Sequence, residues 1–233
     1  MLTLDKVLIK NGDFRLKADM LIPRGASVAV IGPSGGGKST LLGAIAGFNE
    51  VAEGSITWNG AVISDLPPHK RPMAILFQDN NFFPHLTVAQ NVGLGLDPSL
   101  KLTVAQRRLV SAALEKTGLH GYEERKPGSL SGGQQGRVAL ARVLVQQREI
   151  ILLDEPFAAL GPALKTEMLT LVQDLTREIG ATLLMVSHEP EDARLICEQT
   201  VLVAEGAATG PFDTAKLLAD PPQPLREYLG ANR

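Results

Sequence analysis

The residues best suited to chemistry lie in one glycine-rich stretch near the N-terminus, between an apolar run at 28–31 and an apolar-periodic segment at 41–48. The stretch matches the pattern G-x-x-x-x-G-K-[ST] and reads Gly32-Pro33-Ser34-Gly35-Gly36-Gly37-Lys38-Ser39-Thr40. Glycines let backbone N–H groups converge on phosphate oxygens, and a helix N-terminus favours an anion. Lys38 can reach the outer phosphates, and the Ser39 hydroxyl can bind Mg²⁺. The pattern therefore predicts a nucleoside triphosphate site, the alternative being a plain glycine turn.

Polar residues also follow three other apolar runs, and the carboxyl ends of parallel strands converge on one crevice. Gln78 ends one run and can ligate Mg²⁺ or orient water through its carbonyl oxygen. Asp154 and Glu155 end another, where Asp154 suits Mg²⁺ and Glu155 can take a proton from an attacking water. His188 follows the third and can contact the γ-phosphate. The alternative for Asp154 and Glu155 is that they cap a strand and open a turn. The alternative for His188 is an ordinary histidine of the core or a loop.

A second anion-binding design occurs later in the chain, in the sequence Leu130-Ser131-Gly132-Gly133-Gln134. A serine N-cap followed by two glycines at a helix start exposes backbone N–H groups. Since this stretch is separate from the glycine-rich one, a chain can carry two half-sites. A head-to-tail pair of chains would then close each nucleotide between Lys38 of one chain and Ser131 of the other.

The elements that position these residues are predicted from apolar periodicity and turn signals. Predicted strands cover 2–9, 16–22, 55–58, 61–63, 73–77, 150–153, 182–186 and 200–204. Predicted helices cover 41–48, 88–96, 103–118, 131–147, a segment starting at Pro162, 212–219 and 225–229, and a further element spans 191–197. Strands that alternate with helices after the glycine-rich stretch indicate an α/β fold with a parallel central sheet.

We expect one domain over 1–233. Its nucleotide-binding core comprises 1–78 and 129–233 and includes an N-terminal antiparallel β subdomain, while 79–128 forms a mostly helical insert. The chain is 44% hydrophobic and 21% charged, as in ordinary globular proteins. A net charge of −2 gives no support for nucleic acid as a partner. Cys197, the single cysteine, cannot form an internal disulfide, and no run of 18 apolar residues predicts a membrane span.

Together these motifs resemble the ATP-binding-cassette ATPase family over nearly the whole chain. GPSGGGKST, Gln78, LSGGQ, ILLDEP and His188 occur in the family's order. The resemblance implies an ATP hydrolase with a P-loop NTPase core that uses ATP and Mg²⁺. It makes 32–40 and Gln78 the ATP-binding residues and Glu155 the general base. It makes His188 the switch histidine, and Ser39, Gln78 and Asp154 the Mg²⁺ environment.

The resemblance also implies partners. Residues 131–134 look like the family's signature loop, which contacts the ATP of the partner chain in a homodimer. The Gln78 region and the helical insert look like the surface that docks two membrane-spanning permease domains. A periplasmic solute-binding protein completes such an importer, and the ATPase lies at the cytoplasmic face of the inner membrane.

Within the family, the chain is similar to ATPases of small-solute importers, those for thiamine in particular. This similarity rests on residues 77–96, 160–164 and 167–172, and on the chain stopping soon after the core, without a further C-terminal barrel domain. The alternatives are an importer of iron, polyamine or oxyanion, a non-transport cassette ATPase, and a nucleotide-binding regulatory subunit with feeble hydrolysis.

Three positions depart from the family's pattern. Gly161 stands where an aspartate is usual in the loop after Glu155, which puts coupling between the two sites in doubt. Gly136 lies inside the predicted signature helix. For the aromatic residue that stacks on adenine, Phe14 is the only nearby candidate, and an ordinary packed strand residue is the alternative.

Overall fold

A computed structural model describes residues 1–77 and 81–230. Its strands are β1 (Leu2–Asn11), β2 (Phe14–Ile22), β3 (Ser27–Ile31), β4 (Val51–Trp58), β5 (Ala61–Val62), β6 (Met73–Leu76), β7 (Ile150–Asp154), β8 (Thr182–Val186), β9 (Gln199–Ala204) and β10 (Ala207–Asp213). Its α-helices are α1 (Lys38–Ala46), α2 (Val88–Gly93), α3 (Val104–Lys116), α4 (Gly132–Leu144), α5 (Pro162–Ile179), α6 (Pro190–Ile196), α7 (Thr214–Ala219) and α8 (Gln223–Tyr228).

These strands form a single mixed sheet with the order β5-β4-β1-β2-β10-β9-β3-β8-β7-β6. The strands from β9 to β6 in this order run parallel, and β5, β4, β1 and β2 pair antiparallel. Strand β10 joins the two halves, antiparallel to β9 and parallel to β2. Its register with β2 consists of two residue pairs, Ala207 with Lys17 and Ala208 with Ala18. The predicted α/β fold with a parallel centre and an antiparallel N-terminal region is therefore confirmed.

The central strands are apolar throughout because helices cover the sheet on both faces. On one face, α1 packs into a core that contains side chains from both halves of the sheet. On the other face, α4, α5 and α6 pack against β7 and β8. Every residue of β8 is buried, and in β7 only Asp154 is partly exposed. The sheet edge beyond Asp154 is therefore where polar side chains emerge from the core.

Helices α2 and α3 pack against α4 around a third apolar cluster that includes Val88, Leu114 and Val138. Each helix begins with a complete capping box, Thr87 with Gln90 for α2 and Thr103 with Gln106 for α3. Such boxes satisfy N–H groups that lack partners within the helix. Among the described residues, no helix is long and apolar enough to cross a membrane.

The largest difference from the predicted elements lies after β9. Strand β10 was not predicted, and Phe212, expected at the start of a helix, lies in this strand. Gly210 and Pro211 interrupt the apolar pattern, and the register with β9 shifts between Thr209 and Phe212. Pairing with β9 and β2 forms this strand, which its local sequence does not indicate.

Arg71 fastens the end of α1 to the segment before β6. Its side chain is buried and donates to four backbone carbonyls. Nη1 lies 2.7 Å from both Ala44 O and Ile45 O, in the last turn of α1. Nε lies 2.8 Å from Leu66 O, and Nη2 lies 2.7 Å from Ser64 O. Burial lowers the pKa of Arg71. A cation at the C-terminus of a helix also opposes the negative end of its dipole.

Candidate functional site

The glycine-rich loop between β3 and α1 has a backbone that other residues would strain. Gly35 and Gly37 have φ angles of +75° and +104°. A Cβ atom at Gly32 would lie 1.9 Å from the carbonyl oxygen of Val203, and one at Gly37 would lie 2.6 Å from Cζ of Phe14. Positive φ favours glycine at all three positions, and the close approach of neighbouring atoms requires it at Gly32 and Gly37.

Lys38 begins α1 and is turned back over the loop. Its Nζ donates to Gly32 O at 2.9 Å and to Pro33 O at 3.0 Å. The residue is 5% exposed, and desolvation lowers its pKa, partly offset by the charges of Glu155 and Asp154. The loop thus holds a buried cation at its centre, close to two carboxylates.

Asp154 leaves the sheet at the end of β7 and meets the start of α1. The Ser39 hydroxyl donates to Asp154 Oδ1 at 3.1 Å. Burial raises the pKa of Asp154, while the Ser39 hydrogen bond and the Lys38 charge act in the opposite direction. The two predicted Mg²⁺ ligands that the structure describes, Ser39 and Asp154, are therefore adjacent. Gln78, the third, lies outside the described residues.

Glu155 and His188 face each other across the ends of β7 and β8. His188 Nε2 is in contact with Glu155 Oε1. Glu155 has a φ angle of +50°, and its N–H donates to Val186 O at 3.2 Å. A positive φ on a residue other than glycine costs of the order of 1 kcal/mol and persists only where the surroundings impose it. The backbone is therefore strained where the carboxylate meets the imidazole.

A surface groove connects these groups. Its wall is formed by Asn11, Phe14, Ser34, Gly35, Gly37, Lys38, Ser39, Thr40, Glu155 and His188. Phe14 begins β2 and packs partly against the core of the α1 face. The same ring lies beside Gly37 at the groove. Phe14 is therefore a packed strand residue that also lines the groove, and its stacking on adenine stays a prediction.

Residues 131–134 form the N-terminus of α4, away from the lining of this groove. Ser131 is the N-cap, and it exchanges capping-box hydrogen bonds with Gln134. Gln134 Nε2 also lies 3.2 Å from the Tyr122 hydroxyl. Ser131 and Gly132 are exposed, whereas Gly133 packs against Leu164 of α5. The capping box uses the N–H groups of Ser131 and Gln134, so Gly132 is the exposed glycine at the start of α4 that a group outside the chain can approach.

Behind His188 lies a polar cluster that the sequence motifs did not predict. The Ser187 hydroxyl bonds with the Asp192 carboxylate, and Lys165 Nζ lies 2.7 Å from Asp192 Oδ2 and 2.8 Å from Glu189 Oε1. Burial lowers the pKa of Lys165, but the two carboxylates more than offset this and raise it. A lysine on the inner side of α5 is the one sequence signal for this cluster.

Comparison with protein families gives one matching model, described as ABC transporter, over residues 17–158. Among curated proteins, the chain is 59% identical to the thiamine import ATP-binding protein ThiQ of Cereibacter sphaeroides, covering 99% of this chain and 100% of that one. It is 58% identical to the protein of the same name from Ruegeria sp., again over 99% and 100%. The protein of that name from Jannaschia sp. is 46% identical over 98% and 100%.

Solved structures of ATP-binding cassettes share this architecture. The dimeric post-hydrolysis state of the cassette MJ0796, bound to ADP and Pi, superposes with a TM-score of 0.76 at 30% identity. The match covers 92% of this chain and 99% of that one. The ADP conformation of the cassette MJ1267 gives a TM-score of 0.88 at 24% identity, over 99% and 98% of the two chains, and this likeness concerns the fold alone.

Proposed function

We propose that this chain, which belongs to the ABC transporter family, is the ATP-hydrolysing subunit of a thiamine importer. The observation that carries the proposal is its full-length likeness, at 46–59% identity, to proteins named for thiamine import. The groove supports the catalytic part, because it unites a phosphate loop with a lysine, a carboxylate and a histidine.

Binding of ATP follows from the loop. The glycine backbone and the N-terminus of α1 present N–H groups to the phosphates, and Lys38 adds a positive charge. Lys38 then exchanges the carbonyl oxygens of Gly32 and Pro33 for phosphate oxygens. Phe14, at the side of Gly37, stacks on the adenine. An aromatic face tolerates any base, so it enforces base identity weakly.

Hydrolysis of ATP requires a general base and a group that contacts the γ-phosphate. Glu155 accepts the proton of the attacking water, since its carboxylate lies at the groove beside Lys38. His188 contacts Glu155 and hydrogen-bonds the γ-phosphate, which holds that water and phosphate in line. The contact between the two side chains supports the proposal that Glu155 and His188 act together on the γ-phosphate and the water.

The residues at the loop fit a Mg²⁺ ion that arrives with the nucleotide. Ser39 and Asp154 supply two neighbouring oxygen atoms, the ligand type that Mg²⁺ prefers, and Gln78 is proposed as a third ligand. No group of three or more His, Cys, Asp or Glu side chains in the described part of the chain is placed to hold a metal. When bound, Mg²⁺ would be held by Ser39, Asp154 and Gln78 and would neutralise negative charge on the phosphates during transfer.

We further propose that two copies pair head to tail. The exposed N-terminus of α4, with Ser131 and Gly132, then meets the ATP held by Lys38 of the partner. The dimeric state of the MJ0796 cassette supports this arrangement. Two permease domains dock beside Gln78 and residues 79–128 at the cytoplasmic face of the inner membrane, and a periplasmic solute-binding protein delivers thiamine.

Glu155→Gln tests both halves of the proposal. The amide cannot accept the proton, so the purified chain should lose at least about 100-fold of its phosphate release, the scale of general base catalysis. It should still bind ATP and elute as a dimer with ATP. In cells that lack another thiamine route, the same substitution should abolish uptake of labelled thiamine.

Glu205→Gln is the matched control, because exposed Glu205 has the same φ of +50°. It should leave hydrolysis and uptake unchanged. Parental phosphate release by Glu155→Gln would refute the role of Glu155. Undiminished thiamine uptake alongside lost hydrolysis would refute thiamine, and uptake of iron, polyamines and oxyanions would then be compared between the same strains.

A further inference from the structure

The loop that carries His188 is held from its inner side by the cluster on α5 and α6. The Ser187 hydroxyl accepts the N–H of Glu189 at 3.0 Å. Lys165 bridges the carboxylates of Glu189 and Asp192. These contacts fix the residues on both sides of His188 but not its own peptide group.

The His188 peptide is held instead by the last helix. The Tyr228 hydroxyl donates to the His188 carbonyl oxygen across 40 residues of sequence. Burial raises the pKa of Tyr228, and the charges of Glu155 and Glu189 raise it further. The hydroxyl therefore keeps its proton at neutral pH and remains a donor.

Helix α8 is itself anchored, so that this hydroxyl has a defined position. Leu225 is fully buried, and Tyr228 and Leu229 pack against the same core as β8 and α5. Arg226 also lies 2.8 Å from Asp220 in the preceding turn, an exposed pair that adds little to this packing. The tyrosine thus reaches His188 from a packed element.

We propose that Tyr228 is a positioning residue for His188, linking the C-terminal helix to the hydrolytic step. This inference rests on the proposed function, in which His188 contacts the γ-phosphate. A hydrogen bond to the His188 carbonyl limits rotation of the peptide that carries the imidazole. Small displacements of a group aligned with the reacting atoms lower the rate strongly. Tyr228 acts on ATP through His188 alone.

The test is Tyr228→Phe in the purified full chain, which removes the hydroxyl and keeps the ring. We expect kcat for ATP hydrolysis to fall about two- to tenfold, the effect of losing one hydrogen bond in the transition state. KM for ATP should stay at the parental value, and the melting temperature should fall by no more than about 6 °C, the scale of one lost hydrogen bond. Glu227→Ala, which removes a neighbouring contact to Gln223 on the same helix, should leave kcat unchanged.

A double-mutant cycle separates positioning from a structural effect. If Tyr228 acts through His188, adding Tyr228→Phe to His188→Ala should not reduce the residual rate further. An equal fall in both backgrounds, or an unchanged kcat in Tyr228→Phe alone, would overturn the inference. Should the parental chain release no phosphate from ATP, the proposed function itself would fail, which is a different result.

Discussion

Gly136 lies buried inside α4, where glycine costs helix stability relative to alanine. A Cβ atom at this position would lie 3.5 Å from Met168 Cε and 3.7 Å from Phe157 Cε1, both ordinary contacts. We expect Gly136→Ala to raise the free energy of unfolding by about 0.5–1 kcal/mol. Denaturant unfolding of the full chain measures this change.

Gly133, three residues earlier in the same helix, provides the comparison. Its Cβ would lie 2.6 Å from Leu164 Cδ2, so Leu164 has to move. Gly133→Ala should therefore lose the gain in stability that Gly136→Ala shows. Equal stabilisation by the two substitutions would contradict the packing described for α4 and α5.

Of the whole site, the individual residues that line the groove were the easiest to predict from the sequence. The glycine-rich loop, and Asp154 and Glu155 at the end of β7, each follow an apolar run, which predicts the sheet edge at which they emerge. The hydrogen bond from Tyr228 to His188 had no such signal. It joins residues far apart in sequence through the packing of α8, which no local pattern records.

At the level of elements, α1 is held at both ends. Its N-terminus carries Lys38 and Ser39, and its C-terminus is bound by Arg71. Arg71→Met keeps an unbranched apolar stem but removes four hydrogen bonds to carbonyl oxygens, two of them buried and two partly buried. We expect a loss of about 2–4 kcal/mol in the free energy of unfolding. For a chain of this length, that lowers the melting temperature by roughly 4–16 °C.

Arg24→Met serves as the control for removing an arginine charge. The Arg24 side chain is 65% exposed and lies 3.4 Å from Glu149. Exposed ion pairs of this kind contribute little, so its substitution should change stability by less than about 1 kcal/mol. A melting temperature for Arg71→Met that matched the Arg24→Met value would show that the four carbonyl contacts do not stabilise α1.

Most helices and strands could be predicted from the sequence because the spacing of their apolar residues matches the faces that they bury. The runs in β3, β7 and β8 are continuous since both faces are covered, and α3 and α4 show helical spacing. Helix ends were less exact, as for α2, expected to reach Leu96 and ending at Gly93. Strand β10 was missed because its pairing, not its composition, forms it.

At the scale of the whole molecule, Gly161 concerns the proposed pair of chains. It is the N-cap of α5, its backbone is extended at φ −65° and ψ 157°, and a Cβ there meets open space. The backbone therefore accepts any residue. We expect Gly161→Asp to cap α5 and stabilise the chain by a few tenths of a kcal/mol. It should also raise ATP turnover modestly or increase its cooperativity.

Steady-state ATPase rates across ATP concentrations give both the rate and the Hill coefficient. Gly161→Ala adds the same Cβ without a capping oxygen, and it should show neither gain. An unchanged rate and Hill coefficient in Gly161→Asp would show that this position does not couple the two sites.

The narrow join between β2 and β10 has a mechanical consequence for the groove. Two residue pairs connect the antiparallel half of the sheet to the parallel half at this join. Phe14 belongs to the first half, whereas Lys38 follows a strand of the second. In the proposed complex, a nucleotide that contacts both Phe14 and Lys38 would link the two halves of the sheet. We expect bound nucleotide to limit bending of the sheet at this two-pair join, and its release to restore that bending.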